Sequence, residues 1–326
     1  MKRRNLKGLA CTAALLVGLL LSGCRGAVLY STQPVVLVEQ GDHGLVQLAD
    51  DDPRYLALQD YLAGDAALTR LIDLYAHTTA AFLASGLHSG ASRALCNPVV
   101  LALGTRPGVL RDADVAGLYG QVRVPLALGV AVDDPAELGS VAPQLARTLG
   151  EALLVLAGQE SPALSCTTLP CDAGPAESSV VLAQGLGAAL EAQYVQWTSP
   201  SARHGDAVQR AAWLARNDYR RQFDSEGPAN TLLSPAEASL CPGVVGTLFE
   251  RLIVSAERGY PQRYMLWFAN YAPEDEALAK IVLAVTRLQG EPSAYAFART
   301  YAATFPQERE SLGALMTALQ LNEGSR

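Results

Sequence analysis

The sequence predicts an α+β chain, predominantly helical, with a small mixed sheet in the N-terminal part and an all-helical C-terminal part. Three observations predict it. Strand-like runs are confined to the stretch before residue 133, and the clearest buried helix, Val141 to Ala157, follows the last of them. From Asp206 onward the chain reads as successive helices, Asp206 to Phe223, Ser234 to Arg258, Pro261 to Tyr271, Pro273 to Gln289, Pro292 to Thr304 and Pro306 to Asn322, four of which open at or just after a proline. Half of the 326 residues are hydrophobic and only 17% are charged, which is ample material for a core.

The chain starts with Lys2, Arg3, Arg4 and Lys7, then an apolar run from Leu9 to Leu21, then Leu21-Ser22-Gly23-Cys24. This is the form of a secretory signal, too short in its apolar part for a membrane span. The last four residues match the bacterial lipobox, which implies cleavage before Cys24 and lipidation there. Residues 1–23 are thus expected to be a signal peptide and residues 24–33 a tether. The implied place is the exported side of a membrane, with a lipid anchor at Cys24 as the membrane contact. Arg25 after that cysteine resembles the signal for the outer membrane in a diderm cell.

Loss of the four basic residues takes the formal charge from −7 to −11. An acidic body of this kind excludes nucleic acid as a partner class and disfavours adhesion to anionic lipid.

After the tether, Val35 to Gln40 and Leu45 to Leu48 read as strands joined at Gly41-Asp42-His43-Gly44. Pro53 to Leu87 reads as two helices broken near Gly64-Asp65. Asn97 to Leu103 is the next strand, Thr105 to Gly108 a turn, Asp112 to Leu118 a short helix, and Gln121 to Val132 a strand. Asp133-Asp134-Pro135 turns the chain into the helix Val141 to Ala157, whose apolar positions Leu145, Leu149, Ala152, Leu153 and Leu156 recur at helical spacing.

The segment LARTLGEALLVLAG within that helix resembles the active-site helix of zincin metallopeptidases, and AQGLGAALE, Ala183 to Glu191, resembles the helix that carries the third ligand in the gluzincin branch. The resemblance covers about residues 97–195. It implies a zincin-like α+β subdomain over residues 34–197, with the strand Val122 to Val132 at the edge of a mixed sheet above the helix, and a helical subdomain over residues 198–326.

It also assigns the zinc-ligand positions to Arg147, Glu151 and Gln184 and the general-base position to Thr148. All four depart from the family pattern. Arginine has no lone pair for a metal, threonine has no basic group to activate water, and one carboxylate does not make a zinc site. No catalytic residue, metal or cofactor is therefore expected.

Arg147 and Glu151 stand at i,i+4, where side chains on one helical face meet. They are expected to neutralise one another in the space of the metal, with Gln184 as hydrogen-bond partner; an ordinary core helix with an exposed ion pair is the alternative. The function expected is that of an exported, catalytically inactive metallopeptidase-like protein with a binding or scaffolding role and a protein partner in the cell envelope. A helical interaction lipoprotein without enzyme ancestry and an active hydrolase are the alternatives.

Beyond Cys24, the exported body carries Cys96, Cys166, Cys171 and Cys241, an even number that suits disulfides in an oxidising compartment. Three pairings are open; Cys166–Cys171 with Cys96–Cys241 is favoured because the first closes a small loop, and four free or zinc-bound thiolates are the alternative. Lys280 is the only lysine after residue 23, on a helix that reads as surface. The sequence has no GxxxxGK phosphate loop and no G-x-S-x-G elbow, and His43, His77, His88 and His204 have no metal-ligand spacing. The aromatic segment Tyr260 to Tyr271 reads as core, and the cluster Arg216, Arg220 and Arg221 as a solvated face.

Overall fold

A computed structural model describes residues 29, 31–84, 99–162, 176–198, 221–222, 231–232, 234–257, 273–319 and 321. The protein is mostly helical, with a small mixed sheet formed early in the chain. The signal and Cys24, Cys96, Cys166, Cys171, His88, His204, Arg216, Arg220 and the segment Tyr260 to Tyr271 lie outside the described residues.

β1 (Val35–Gly41) and β2 (Gly44–Gln47) form an antiparallel hairpin, with Gly44 at φ 118° in the region that favours glycine. β3 (Val99–Leu103) runs parallel to β1, and β4 (Gly108–Gly117) and β5 (Gly120–Gly129) form a second hairpin. Short parallel pairings of β2 with β4 and β3 with β5 close the five strands into a barrel in the order β1-β2-β4-β5-β3. β5 thus pairs with β4 along its length and with β3 at Leu128 and Gly129, so the strand expected as an edge from Val122 to Val132 has a second neighbour at its C-terminal end.

Strand alternation sorts the barrel's side chains into two cores. Val36, Val38, Leu45, Val100, Ala102, Val115, Val122, Val124 and Ala127 fill the interior together with Leu29. Val35, Leu37, Val99, Leu101, Leu103, Val109 and Leu128 point outward into the main core against the helices. The β4–β5 hairpin changes face along its length: Val109 and Leu128 pair on the outer side, Ala113 and Val124 on the inner, although the register is unbroken. Between them lie Asp112, at φ 48°, and Pro125, which has no N–H to pair.

The stretch expected as a helix from Asp112 to Leu118 is thus the second half of β4. Gly117 and Gly120 pair across the two-residue turn Leu118-Tyr119, and Gly120 takes φ 121°. Ala113 and Ala116 have a helical preference of their own, but pairing with β5 overrides it.

The helices are α1 (Pro53–Gly64), α2 (Ala66–Ala84), α3 (Ala142–Leu156), α4 (Ser178–Thr198), α5 (Pro235–Ala238), α6 (Pro242–Glu257), α7 (Pro273–Thr286), α8 (Ala294–Thr304) and α9 (Arg309–Ala318). The break between α1 and α2 falls at Asp65, as expected; its Oδ1 accepts from Leu68 N and so caps α2. One helix expected from Ser234 to Arg258 is two. Ser234 and Glu237 form a capping box on α5, and Pro242, which disfavours helix at the residue before it, starts α6. Arg221 and Gln222 pair as a short strand, β6, with Thr231 and Leu232 of β7, so the helix expected from Asp206 to Phe223 does not reach its predicted end.

α4 lies at the centre of the helical layer, packed between α3 and α6 and also touching α2. Every residue from Val181 to Val195 is buried, which is why its sequence shows no apolar stripe. Its small residues set the spacing: a Cβ at Gly185 would lie 2.4 Å from Val245 Cγ1 of α6, and one at Gly187 would lie 3.0 Å from the Arg147 carbonyl oxygen of α3.

Candidate functional site

α3 opens with Pro143 in its first turn, where a missing N–H costs nothing, and its residues from Leu145 to Leu156 are all buried. Within it, Arg147 is 8% exposed and Glu151 7%. Arg147 Nε donates to Glu151 Oε1 at 3.0 Å. The pair expected from i,i+4 spacing is therefore formed, and it is buried.

The pair faces α4. A Cβ added at Gly187 would lie 2.7 Å from Glu151 Cγ and 3.0 Å from Arg147 Cγ, so only glycine leaves room there. Gln184 and Glu191, three residues before and four after Gly187, fall on the same face of α4 and are both buried. Gln184, expected as a hydrogen-bond partner of the pair, is thus placed on the face that meets it, 8% exposed. The residue of α4 whose charge acts on Glu151 is Glu191, 2% exposed. Sequence reasoning missed Glu191, although its place seven residues after Gln184 sets it on the same helical face.

Burial raises the Glu151 carboxyl above its ordinary range; Arg147 opposes that shift and Glu191 adds to it. Desolvation thus outweighs the guanidinium. Thr148, at the general-base position, is 2% exposed and donates its hydroxyl to Gln144 O at 3.0 Å, back along its own helix. The donor set does not fit zinc: Arg147 offers no lone pair and Glu151 is engaged by Arg147. Among the described residues no group of three His, Cys, Asp or Glu side chains is placed to hold a metal ion.

Other polar clusters pin the frame around this face. Tyr61 of α1 and Tyr194 of α4 both donate to Asp65 Oδ2, at 2.9 and 2.8 Å, tying the α1–α2 junction to the C-terminal half of α4. Lys280 of α7, expected at the surface, is 6% exposed, with Nζ 2.7 Å from Glu276 Oε1 and 2.6 Å from Glu308 Oε1. Tyr301 donates to the other oxygen of Glu308 at 2.5 Å. An amine paired in this way is not a free nucleophile.

Cys241 is a buried free thiol whose Sγ donates to Glu237 O at 3.4 Å, so the expected bridge from Cys96 to Cys241 is not made in this structure. Its burial at the start of α6, beside Glu237, pushes the thiol up to about 12, far from the thiolate that metal binding or nucleophilic attack requires. No helix among the described residues is long and apolar enough to cross a membrane.

No protein family, curated protein or solved structure matches the chain.

Proposed function

We propose that this chain is an exported, lipid-anchored protein of the cell envelope, descended from zincin-like metallopeptidases, that has lost metal-dependent catalysis and serves a binding or scaffolding role. The observation that carries this reading is the buried Arg147–Glu151 pair. It stands at the two helix positions where the family it resembles places histidine ligands, and it faces the helix that would supply the third. A guanidinium held against a carboxylate in that space leaves no site for a metal-bound water, and Thr148 has no group to act as base. Anchorage rests on the residues before Arg25, which have the form of a lipoprotein signal.

A second reading, a helical interaction lipoprotein with no peptidase ancestry, is favoured by one observation. The five strands close into a barrel in which β5 also pairs with β3 at Leu128 and Gly129, an arrangement other than the open mixed sheet with β5 as edge strand that the resemblance implies.

The test is a zinc determination and a peptide-hydrolysis assay on protein purified from the membrane fraction in detergent. No stoichiometric zinc and no hydrolysis above a Glu151→Gln control are expected. Bound zinc with hydrolysis that chelators abolish overturns the loss of activity.

A further inference from the structure

Four large hydrophobic side chains among the described residues stand exposed: Val46, Leu56, Leu118 and Tyr119. Three of them share one end of the barrel. Leu118 and Tyr119, 49% and 84% exposed, form the tip of the β4–β5 hairpin, and Val46 pairs through β2 with Ala116, two residues before that tip. The tip is tied back to the barrel by one long hydrogen bond of 3.4 Å and by its own strand pairing. Leu118 N donates to Gln47 Oε1, Gln47 is itself buried, and Gly117 pairs with Gly120 across the turn.

The same end receives the start of the chain. Leu29, 2% exposed, belongs to the barrel's interior core, and a Cβ at Gly117 would lie 3.2 Å from its Cδ2. Cys24 is five residues before Leu29, so even a fully extended chain keeps its Cα within roughly 18 Å of the Cα of Leu29, whose side chain meets the base of the tip. A lipid on that cysteine therefore brings the bilayer to the end of the barrel where the apolar side chains project.

We propose that this end of the barrel is a membrane-contact surface, with Leu118 and Tyr119 seated in the interfacial layer of the bilayer that holds the lipid on Cys24. The proposal rests on the reading of Cys24 as the anchor. Tyrosine suits that layer, with its ring among the acyl chains and its hydroxyl in the headgroups, and a leucine beside it adds apolar area. A second contact fixes the orientation of a body that a single lipid anchor does not orient. Arg111, Asp112, Asp114 and Arg123 on the flanking strands balance in charge, with Arg123 Nε 3.8 Å from Asp112 Oδ1. The tip can therefore approach a zwitterionic surface although the body is acidic. Leu56, the fourth exposed side chain, lies on α1 and serves as an internal control.

The test is labelling of the lipidated protein, reconstituted in phosphatidylcholine vesicles, with a carbene-generating reagent dissolved in the acyl chains. Trypsin then separates Asp112–Arg123, which carries the tip, from Tyr55–Arg70, which carries Leu56. Roughly tenfold more label is expected on the first peptide, because residues held outside the acyl region are not reached. Leu118→Ser/Tyr119→Ser is expected to remove that label while the melting temperature in detergent stays the same.

Equal labelling of the two peptides overturns the proposal, as does labelling of the tip that survives both substitutions. Intact mass reads the anchor separately. An acylated protein with an unlabelled tip overturns the contact surface alone; a protein without acyl chains overturns the anchor and the contact surface with it.

Discussion

Gly150 of α3 and Gly187 of α4 hold their helices at backbone contact: a Cβ on Gly150 would lie 2.9 Å from the Cα of Gly187 and 2.6 Å from the carbonyl oxygen of Leu186. That approach aligns the Arg147–Glu151 pair against α4. In an exposed helix interior, glycine to alanine gains about 1 kcal/mol. Here the added methyl meets backbone, which cannot rotate away, and overpacking costs about 1–3 kcal/mol. Gly150→Ala is therefore expected to lower stability by about that amount. Gly313→Ala, at an exposed position of α9 with nothing within 4 Å of the new Cβ, is expected to raise it. Thermal melts of the two variants should move in opposite directions.

Removing one partner of the buried pair leaves the other charged in the core. Arg147→Met is expected to cost about 3–5 kcal/mol at neutral pH, because Glu151 then faces Glu191 without its guanidinium. Adding Glu151→Leu should recover most of the loss, since an apolar pair of similar size carries no desolvation penalty. Denaturant melts of the single and double variants check this.

The same carboxyl gives a pH dependence of known sign. Glu151 is raised by burial, so the folded protein takes up a proton more readily than the unfolded chain, and stability withheld at neutral pH returns as pH falls toward the ordinary 4.5. Without Arg147 the shift is larger. The deficit of Arg147→Met relative to the native chain should therefore shrink between pH 8 and pH 5, and a deficit that grows over that range contradicts the assignment.

The two tyrosines on Asp65 make an alkaline prediction. Burial, then the bond to Asp65, pushes the Tyr61 phenol up to about 12, and Tyr194 is raised for the same two reasons. Both stabilise the fold while protonated, and that contribution is lost as pH rises beyond the ordinary 10.0 toward and past 12. Tyr194→Phe should cost about 1.5–3 kcal/mol at pH 7, the range for a hydrogen bond to a charged group, and should make the alkaline transition less steep.

Lys280 offers a chemical reading of the fold. Buried between Glu276 and Glu308, it should resist an amine-acylating reagent in the native protein and react fully in urea, as read by the mass of its peptide. Acylation at equal rates in both states contradicts its placement.

Local chemistry announced most of the helices: Asp52, Asp65, Ser234 and Ser293 cap them, and prolines open α1, α5 and α7, whereas Pro242, where the chain restarts as α6, falls inside the single helix expected from Ser234 to Arg258. The hairpin tip Leu118-Tyr119 was not legible because it lacks the Asn-Gly or Asp-Gly signature, and its turn depends on Gly120 at positive φ. Barrel closure was hidden because it rests on parallel pairings between strands far apart in sequence, such as Leu45 with Val115.

At the candidate site, the spacing of Arg147 and Glu151 revealed the pair but not what faces it. That Glu191 acts on Glu151 depends on how α3 and α4 cross at Gly150 and Gly187, and a single sequence does not encode that register in any local pattern. Lys280 read as surface because Glu308 lies 28 residues further on.

The most direct test of the descent from a metal site is a zinc titration of the chain rebuilt to the family's pattern, Arg147→His, Thr148→Glu, Glu151→His and Gln184→Glu, beside the native chain. The account predicts one zinc per rebuilt chain and none on the native one. A folded rebuilt chain that binds no zinc, or a native chain that binds it stoichiometrically, contradicts the account.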